Sequence, residues 1–279
     1  MITIRSMTAA DIADGMRLKG DAGWNQVEAD WCRFLALGGD GCFVAEREAR
    51  VVGSVTTCRF APVGWVAMLL VATPHRGRGI GRSLLLRALE HLESRGVRSV
   101  RLDATPAGRP LYESLRFRVD FALDRFAGLV ERAATGVGTR PGQPGDRGTT
   151  ADLDRVATGT DRRGLIDRLI DDQPRNFRVA GPAGGPIRGF VLWRPGSSAD
   201  QVGPCIADRD AGRALLDAAA GMIDGRTMIV DIPSGNGEAV AWAEGQGLRA
   251  TRPLWRMTRG EAVAEDPGRI WASSGPEMG

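Results

Sequence analysis

The sequence predicts a mixed α/β fold, made of two related domains in tandem. Each would be a twisted central sheet flanked by helices. Three observations carry that expectation. Short apolar strand-like runs alternate with runs of helical period. A glycine-rich turn sits between a strand and a strongly periodic helix. The two halves also echo each other: Leu84-Leu85 is answered by Leu215-Leu216 and Asp103 by Asp231, at similar offsets. With 43% hydrophobic and 25% charged residues, the chain is neither disordered nor fibrous.

Element by element, Ile2 to Arg5 reads as a strand, and Thr8 caps a helix carrying Ile12 and Met16. Gly20 and Gly23 end that helix, and a second runs through Trp31, Phe34 and Leu37. Strands follow at Cys42 to Glu46, Val51 to Arg59 and Val66 to Val71. A helix from Gly81 to Ser94 shows Leu84, Leu85, Ala88, Leu89 and Leu92 on one stripe. A strand at Ser99 to Leu102 and a short helix with Leu111, Tyr112 and Leu115 complete the first domain, residues 1–130. Residues 131–150, rich in Gly, Thr, Pro and Arg, read as a linker.

The second domain, residues 151–260, opens on a helix at Arg162 to Ile170. Strands follow at Phe177 to Ala180, Ile187 to Arg194 and Gln201 to Ile206, then a helix at Asp210 to Met222. A strand at Thr227 to Ile232, a helix near Gly237 to Glu244 and a strand region at Leu248 to Met257 close it. Residues 261–279 read as a loosely held tail.

Composition narrows the function. The net charge is only +3, and neither half has the dense basic face of a nonspecific nucleic-acid binder. Four cysteines without C-x-x-C spacing and two histidines argue against a metal site and fit a reduced cytoplasm. The most apolar run, Val66 to Ala72, is far short of the ~20 residues of a membrane span. The expectation is a cytoplasmic protein, monomeric or homodimeric, with no nucleic-acid or membrane partner.

The chemistry concentrates in His75 to Gly81, H-R-G-R-G-I-G. Glycines permit positive φ and close backbone approach. Amides at the start of the following helix point into one space, where the helix dipole favours an anion. Arg76, Arg78 and Arg82 add positive charge. The loop reads as a diphosphate cradle. Its spacing fits neither G-x-G-x-x-G nor the G-x-x-x-x-G-K-[ST] phosphate loop.

Arg76-Gly77-Arg78-Gly79-Ile80-Gly81 matches the [RQ]-x-x-G-x-[GA] element of the GNAT superfamily of acyl-CoA-dependent N-acyltransferases. Tyr112-Glu113-Ser114-Leu115-Arg116-Phe117 matches the family's Y-x-x-x-[GN]-F element, except that Arg116 stands where glycine is usual. The chain thus resembles that family over about residues 2–127. More weakly, the whole chain resembles bacterial tandem members whose second half is degenerate. The resemblance implies acetyl-CoA as co-substrate, its pyrophosphate on the amides of Arg76, Gly77, Arg78, Gly79, Ile80, Gly81 and Arg82. It implies pantetheine along Leu69, Leu70 and Val71, with the Leu70 amide as oxyanion donor. It implies Tyr112, the only tyrosine, as general acid toward the departing thiolate. Trp24, Asn25, Gln26 and Glu28 fall where the family's first helices cover the acceptor, a small-molecule amine. A low-molecular-weight thiol precursor, as in the tandem mycothiol synthases, remains open as acceptor.

No ionisable residue lies between Gly64 and Val71, so the general base is not assigned; Glu28, Asp30 and Asp103 are the acids nearby. A binding protein that takes acyl-CoA without turnover is the alternative. After Ile206 the second half reads A-D-R-D-A-G, where Asp208 and Asp210 would repel a diphosphate. Only the first half is therefore expected to bind the nucleotide. The second would wall a pocket with Gly203-Pro204 and Asp231, or cover a sheet edge.

Overall fold

Arg5 and Asp11 set the entry to the first helix. Both guanidinium nitrogens of Arg5 donate to the Asp11 carboxylate at 2.8 Å, and the Thr8 amide donates to the same carboxylate at 2.8 Å. The same device recurs 135 residues later. Arg140 donates twice to Asp146, at 2.7 and 2.8 Å, and the Gln143 amide donates to it at 2.8 Å. In the computed structural model, which describes residues 1–130, 136–182 and 185–279, the chain forms two compact units.

The first unit comprises residues 1–102 with 258–261 and Met278. Its sheet runs β1 (Thr3–Ser6), β2 (Phe43–Arg47), β3 (Arg50–Phe60), β4 (Val63–Val71) and β5 (Ser99–Ala104) in that order. The first three junctions are antiparallel and β4–β5 is parallel. Helices α1 (Ile12–Asp21), α2 (Glu28–Gly38) and α3 (Ile80–Ser94) pack against it. Leu84, Leu85, Ala88, Leu89 and Leu92 make the buried stripe of α3 that helical periodicity predicts.

The second unit comprises residues 103–257 and 262–277, with Gly279. It holds α4 (Arg109–Ser114), β6 (Arg118–Leu129), β7 (Thr139–Pro141), α5 (Arg147–Thr158) and α6 (Arg163–Asp172). Next come β8 (Phe177–Ala180), β9 (Gly189–Arg194), β10 (Asp200–Ala207), α7 (Arg209–Ile223) and β11 (Thr227–Pro233). Then follow α8 (Gly237–Gly245), β12 (Arg249–Gly260, whose last residues belong to the first unit) and β13 (Ile270–Ala272). Its strand order is β12-β6-β11-β10-β9-β8-β7, with β13 paired to β10 off that path. The core gathers Val191, Trp193, Leu215, Leu216, Val230, Trp242 and Trp271.

Three expectations need correction. Residues 131–135 lie outside the described residues, but the rest of the expected linker is folded. It supplies β7, a 3-10 turn and the start of α5, which makes β7–α5 the counterpart of β1–α1. The buried face of α5 is Thr150, Ala151, Asp154, Ala157 and Thr158, too polar and small to read as an apolar stripe. Strand β6 also went unread. Its inward charge, Arg125, is matched by Asp231 on β11 at 2.7 and 2.8 Å, a pairing no sequence pattern announces. Of the expected loose tail, residues 261–269 are exposed or half-buried, whereas Ile270, Trp271, Ala272, Ser273 and Ser274 are buried.

Candidate functional site

The site grows from a break in β4. Its pairing with β5 covers only Val63↔Ser99, Gly64↔Val100 and Trp65↔Arg101, after which β4 continues to Val71. On its other edge the β3–β4 register slips between Ser54↔Leu70 and Thr56↔Ala67, so two residues, Met68 and Leu69, oppose Val55. Met68 takes φ +48°, a conformation uncommon for a residue with a side chain, and Ser54 Oγ donates to the Met68 carbonyl at 2.9 Å. Strain of this kind, held by a side-chain hydrogen bond, is characteristic of functional loops and bulges.

Backbone alternation beyond the bulge decides which amides are available. Ala72 donates its N–H to the Val52 carbonyl at 2.9 Å. Two residues back, Leu70 therefore also faces β3, while Leu69 and Val71 face the other edge. The Val71 carbonyl confirms the direction, since it accepts from Arg76 Nε at 2.9 Å rather than from β3. The Leu70 amide, expected to be free, is thus directed at β3, and Leu69 and Val71 are its neighbours on the other edge. The sequence carries no signal for the bulge, because Met68 is not a glycine.

After β4, the glycine loop leads directly into α3. Gly77 and Gly79 have φ +73° and +80°, and Gly79 caps the helix. The first helical bond runs from Ser83 N–H to Gly79 O at 3.0 Å, so the amides of Gly77 through Gly81 precede the helical ladder. Arg76, Gly77, Arg78, Gly79 and Arg82 are exposed, Gly81 is half-buried and Ile80 anchors the turn in the core. The loop thus forms an open, positively charged helix start beside a stretch of β4 that, among the described residues, has no strand paired to that edge past Trp65.

Tyr112 lies on α4 in the second unit. It is half-buried, packed edge-to-face on Phe117 with centroids 5.8 Å apart. Removal from water pushes its phenol up to about 12. Among the described residues its hydroxyl has no hydrogen-bond partner. Arg116, standing where glycine is usual, takes φ +67°, the same left-handed backbone that glycine would provide.

The first two helices bring Trp24, half-buried, together with buried Asn25 and Gln26 just before α2; the Trp24 carbonyl accepts from Lys19 Nζ at 3.3 Å. Glu28 is exposed on the first turn of α2. Two acids considered as bases are committed elsewhere. Asp30 is buried, paired to Arg33 at 2.6 Å, and accepts from the Val27 amide at 2.8 Å. Asp103 holds Arg256 through two hydrogen bonds at 2.8 and 2.9 Å, and Glu265 takes the third side of that guanidinium at 2.5 Å. No group of His, Cys, Asp and Glu that could hold a metal occurs among the described residues. No helix among them is long and apolar enough to cross a membrane.

An acetyltransferase (GNAT) family model matches residues 15–117, and an acetyltransferase (GNAT) domain model matches residues 150–272. A mycothiol acetyltransferase of Thermomonospora curvata is 41% identical over 81 residues, a stretch covering 28% of this chain and 27% of that protein. The chain thus matches less than a third of that relative's length. The crystal structure of a putative acetyltransferase from Pyrococcus horikoshii has the same fold across all of this chain and 96% of its own, at TM-score 0.85 and 23% identity. A tandem GNAT protein from the clavulanic acid biosynthesis pathway aligns over 95% of this chain and all of its own, at TM-score 0.66 and 16% identity.

Proposed function

The chain is a tandem member of the GNAT acetyltransferases, with one such domain matched in each half, and from that premise we propose that it transfers an acetyl group from acetyl-CoA to the amine of a small molecule. The observation that carries the reading is the conjunction of an exposed glycine–arginine helix start with a strand edge that, among the described residues, is left unpaired past Trp65. The diphosphate of the nucleotide binds the amides of Gly77 to Gly81, with Arg76, Arg78 and Arg82 beside it. The pantetheine arm pairs with Leu69 and Val71 as an added strand. The Leu69 N–H, rather than that of Leu70, meets the thioester oxygen as charge develops there.

In the reaction the amine nitrogen attacks the thioester carbonyl, forming the C–N bond as the C–S bond breaks. The Tyr112 phenol, protonated throughout the neutral range, gives its proton to the departing thiolate. Asp30 and Asp103 are bound in ion pairs, so the amine loses its proton to water rather than to either carboxylate. Trp24, Asn25, Gln26 and Glu28 contribute to the acceptor pocket. The relative's acceptor, in a mycothiol acetyltransferase, makes an amine on a low-molecular-weight thiol precursor a first substrate to try.

A thermal-shift series with acetyl-CoA tests the binding step. Saturation at about 100 times Kd adds roughly 2.7 kcal/mol. That amounts to a rise of at least several degrees for a chain of this size. Arg78→Glu, at an exposed position, reverses one charge of the cradle and is expected to abolish most of that rise. A wild-type protein that acetyl-CoA leaves unstabilised would remove the reading. The absence of an uncommitted carboxylate among Asp30 and Asp103 favours the second reading, an acyl-CoA-binding protein without turnover. Release of free thiol with any member of a panel of amines excludes that second reading.

A further inference from the structure

In the second unit the strand break is repeated and filled. Strands β10 and β11 pair in parallel only at Asp200↔Met228, Gln201↔Ile229 and Val202↔Val230, the counterpart of the three β4–β5 pairs. Here too the register with the preceding strand slips just afterwards, between Val202 and Cys205, at Gly203 with φ +134°. Met68 and Gly203 are separated by 135 residues, the same interval that separates Arg5 from Arg140. Past this point β10 is not left with an open edge. Strand β13 lies against it, Cys205 opposite Ala272 and Ile206 opposite Ile270. The Ser273 N–H donates to the Asp231 carbonyl on β11 at 2.8 Å, so the segment is bonded to both diverging strands.

The segment also covers the helix start. One residue, Trp271, is extra in the β13 ladder, and its indole lies on Gly212 in the first turn of α7. A Cβ at Gly212 would come within 1.9 Å of that ring. Gly212 is 131 residues beyond Gly81, the interval between the Leu84-Leu85 and Leu215-Leu216 pairs, so the ring stands at the position of the cradle's last glycine. Gly203 is approached as closely, since a Cβ there would meet the Ser273 carbonyl at 1.8 Å. Asn236 Nδ2 donates to the Ile270 carbonyl at 3.0 Å and the Gly268 carbonyl at 3.3 Å, while Arg194 Nη1 donates to the Ser274 carbonyl at 2.9 Å.

We propose that residues 267–274 are an internal occupant of the second unit's cofactor groove: an extended peptide in place of the pantetheine arm and an indole in place of the diphosphate. The naming of that groove rests on the acetyl-CoA reading of the first unit. The occupant makes the second unit closed to coenzyme A and leaves one nucleotide site per chain. Three features agree. The peptide satisfies both strand edges, which an open wedge leaves unmet. Its side chains, Ile270 and Trp271, are core residues. Asp208 and Asp210 stand at the start of α7, both held by Arg188, and the Asp208 carboxylate already accepts from the Ala211 amide that an incoming diphosphate would need.

Hydrogen exchange on the full chain, alone and with coenzyme A, tests the occupant separately from the acyl-transfer reading. Without ligand, the amides of Cys205, Ile206, Ala272 and Ser273 are expected to exchange about a hundredfold or more slower than in an unstructured peptide. With coenzyme A, protection is expected to rise at Leu69, Val71 and Gly77–Gly81, and to stay unchanged across 200–207 and 268–274. Titration calorimetry should give one coenzyme A per chain. Fast exchange at residues 270–273 in the free protein overturns the proposal whatever coenzyme A does, as do two molecules bound per chain or loss of protection at 268–274 on adding the ligand. If coenzyme A fails to bind at all while residues 270–273 remain protected, the seated segment stands, and the cofactor assignment, with the groove's name, falls.

Discussion

Tyr112 offers a phenol whose hydroxyl has no hydrogen-bond partner among the described residues, and burial pushes its pKa up to about 12. A donor of this kind stays protonated and neutral above the ordinary phenol value of 10. The rate should therefore climb with pH as the acceptor amine deprotonates, with no fall before about pH 10. A bell closing near neutrality would contradict that assignment. Tyr112→Phe keeps the packing on Phe117 and is expected to lower kcat roughly 10- to 1000-fold with little change in KM for acetyl-CoA. Asp103 provides the contrast. Its carboxylate is fully buried against Arg256, and Asp103→Asn leaves that guanidinium partly unmatched at a cost of about 3 to 5 kcal/mol. Chemical denaturation should report the loss of stability, whereas turnover per folded molecule should fall far less than in Tyr112→Phe.

At the scale of the element, the Arg5–Asp11 tie fixes β1 to the start of α1. The guanidinium holds the Asp11 carboxyl at about 2 rather than 3.8. The unfolded chain then takes up the proton first, so the contribution is complete above pH 4 and is lost as pH falls toward 2. Asp11→Asn removes on the order of 1 to 2 kcal/mol. It should also shrink the difference in urea midpoint between about pH 6 and about pH 3, which can be compared directly with wild type. The Arg140–Asp146 tie lowers its carboxyl in the same direction. The sequence made plain those elements whose buried face is apolar, such as α3 and α7, and whose edges are marked by glycine. It hid α5, whose inward face includes Asp154 held by Arg162 at 2.6 and 2.9 Å, and β6, whose inward arginine is neutralised from another strand. Neither partner can be guessed from spacing. The cradle was legible because glycine and arginine declare it locally; the Met68 bulge was not, because its strain is imposed by Ser54 and the β3 register.

For the whole molecule, the duplication is more complete than the sequence suggests, since each strand and helix from β1 to β6 has a counterpart from β7 to β12. What distinguishes the copies is the wedge beside the fourth strand, free on one edge in the first and filled by β13 in the second. Gly212→Ala would press a methyl group into the Trp271 ring. Overpacking of that kind costs about 1 to 3 kcal/mol, and it should lower Tm without altering acetyl-CoA affinity, measured by calorimetry on the folded protein.

The repeat and the compact unit do not share a boundary: the repeat turns over near residue 130, whereas the second unit begins at Asp103 and takes β6 into its own sheet. Severing the gene where the repeats meet would strip β11 of its antiparallel neighbour and deprive the buried Asp231 carboxylate of its Arg125 partner, leaving it the Gln201 amide.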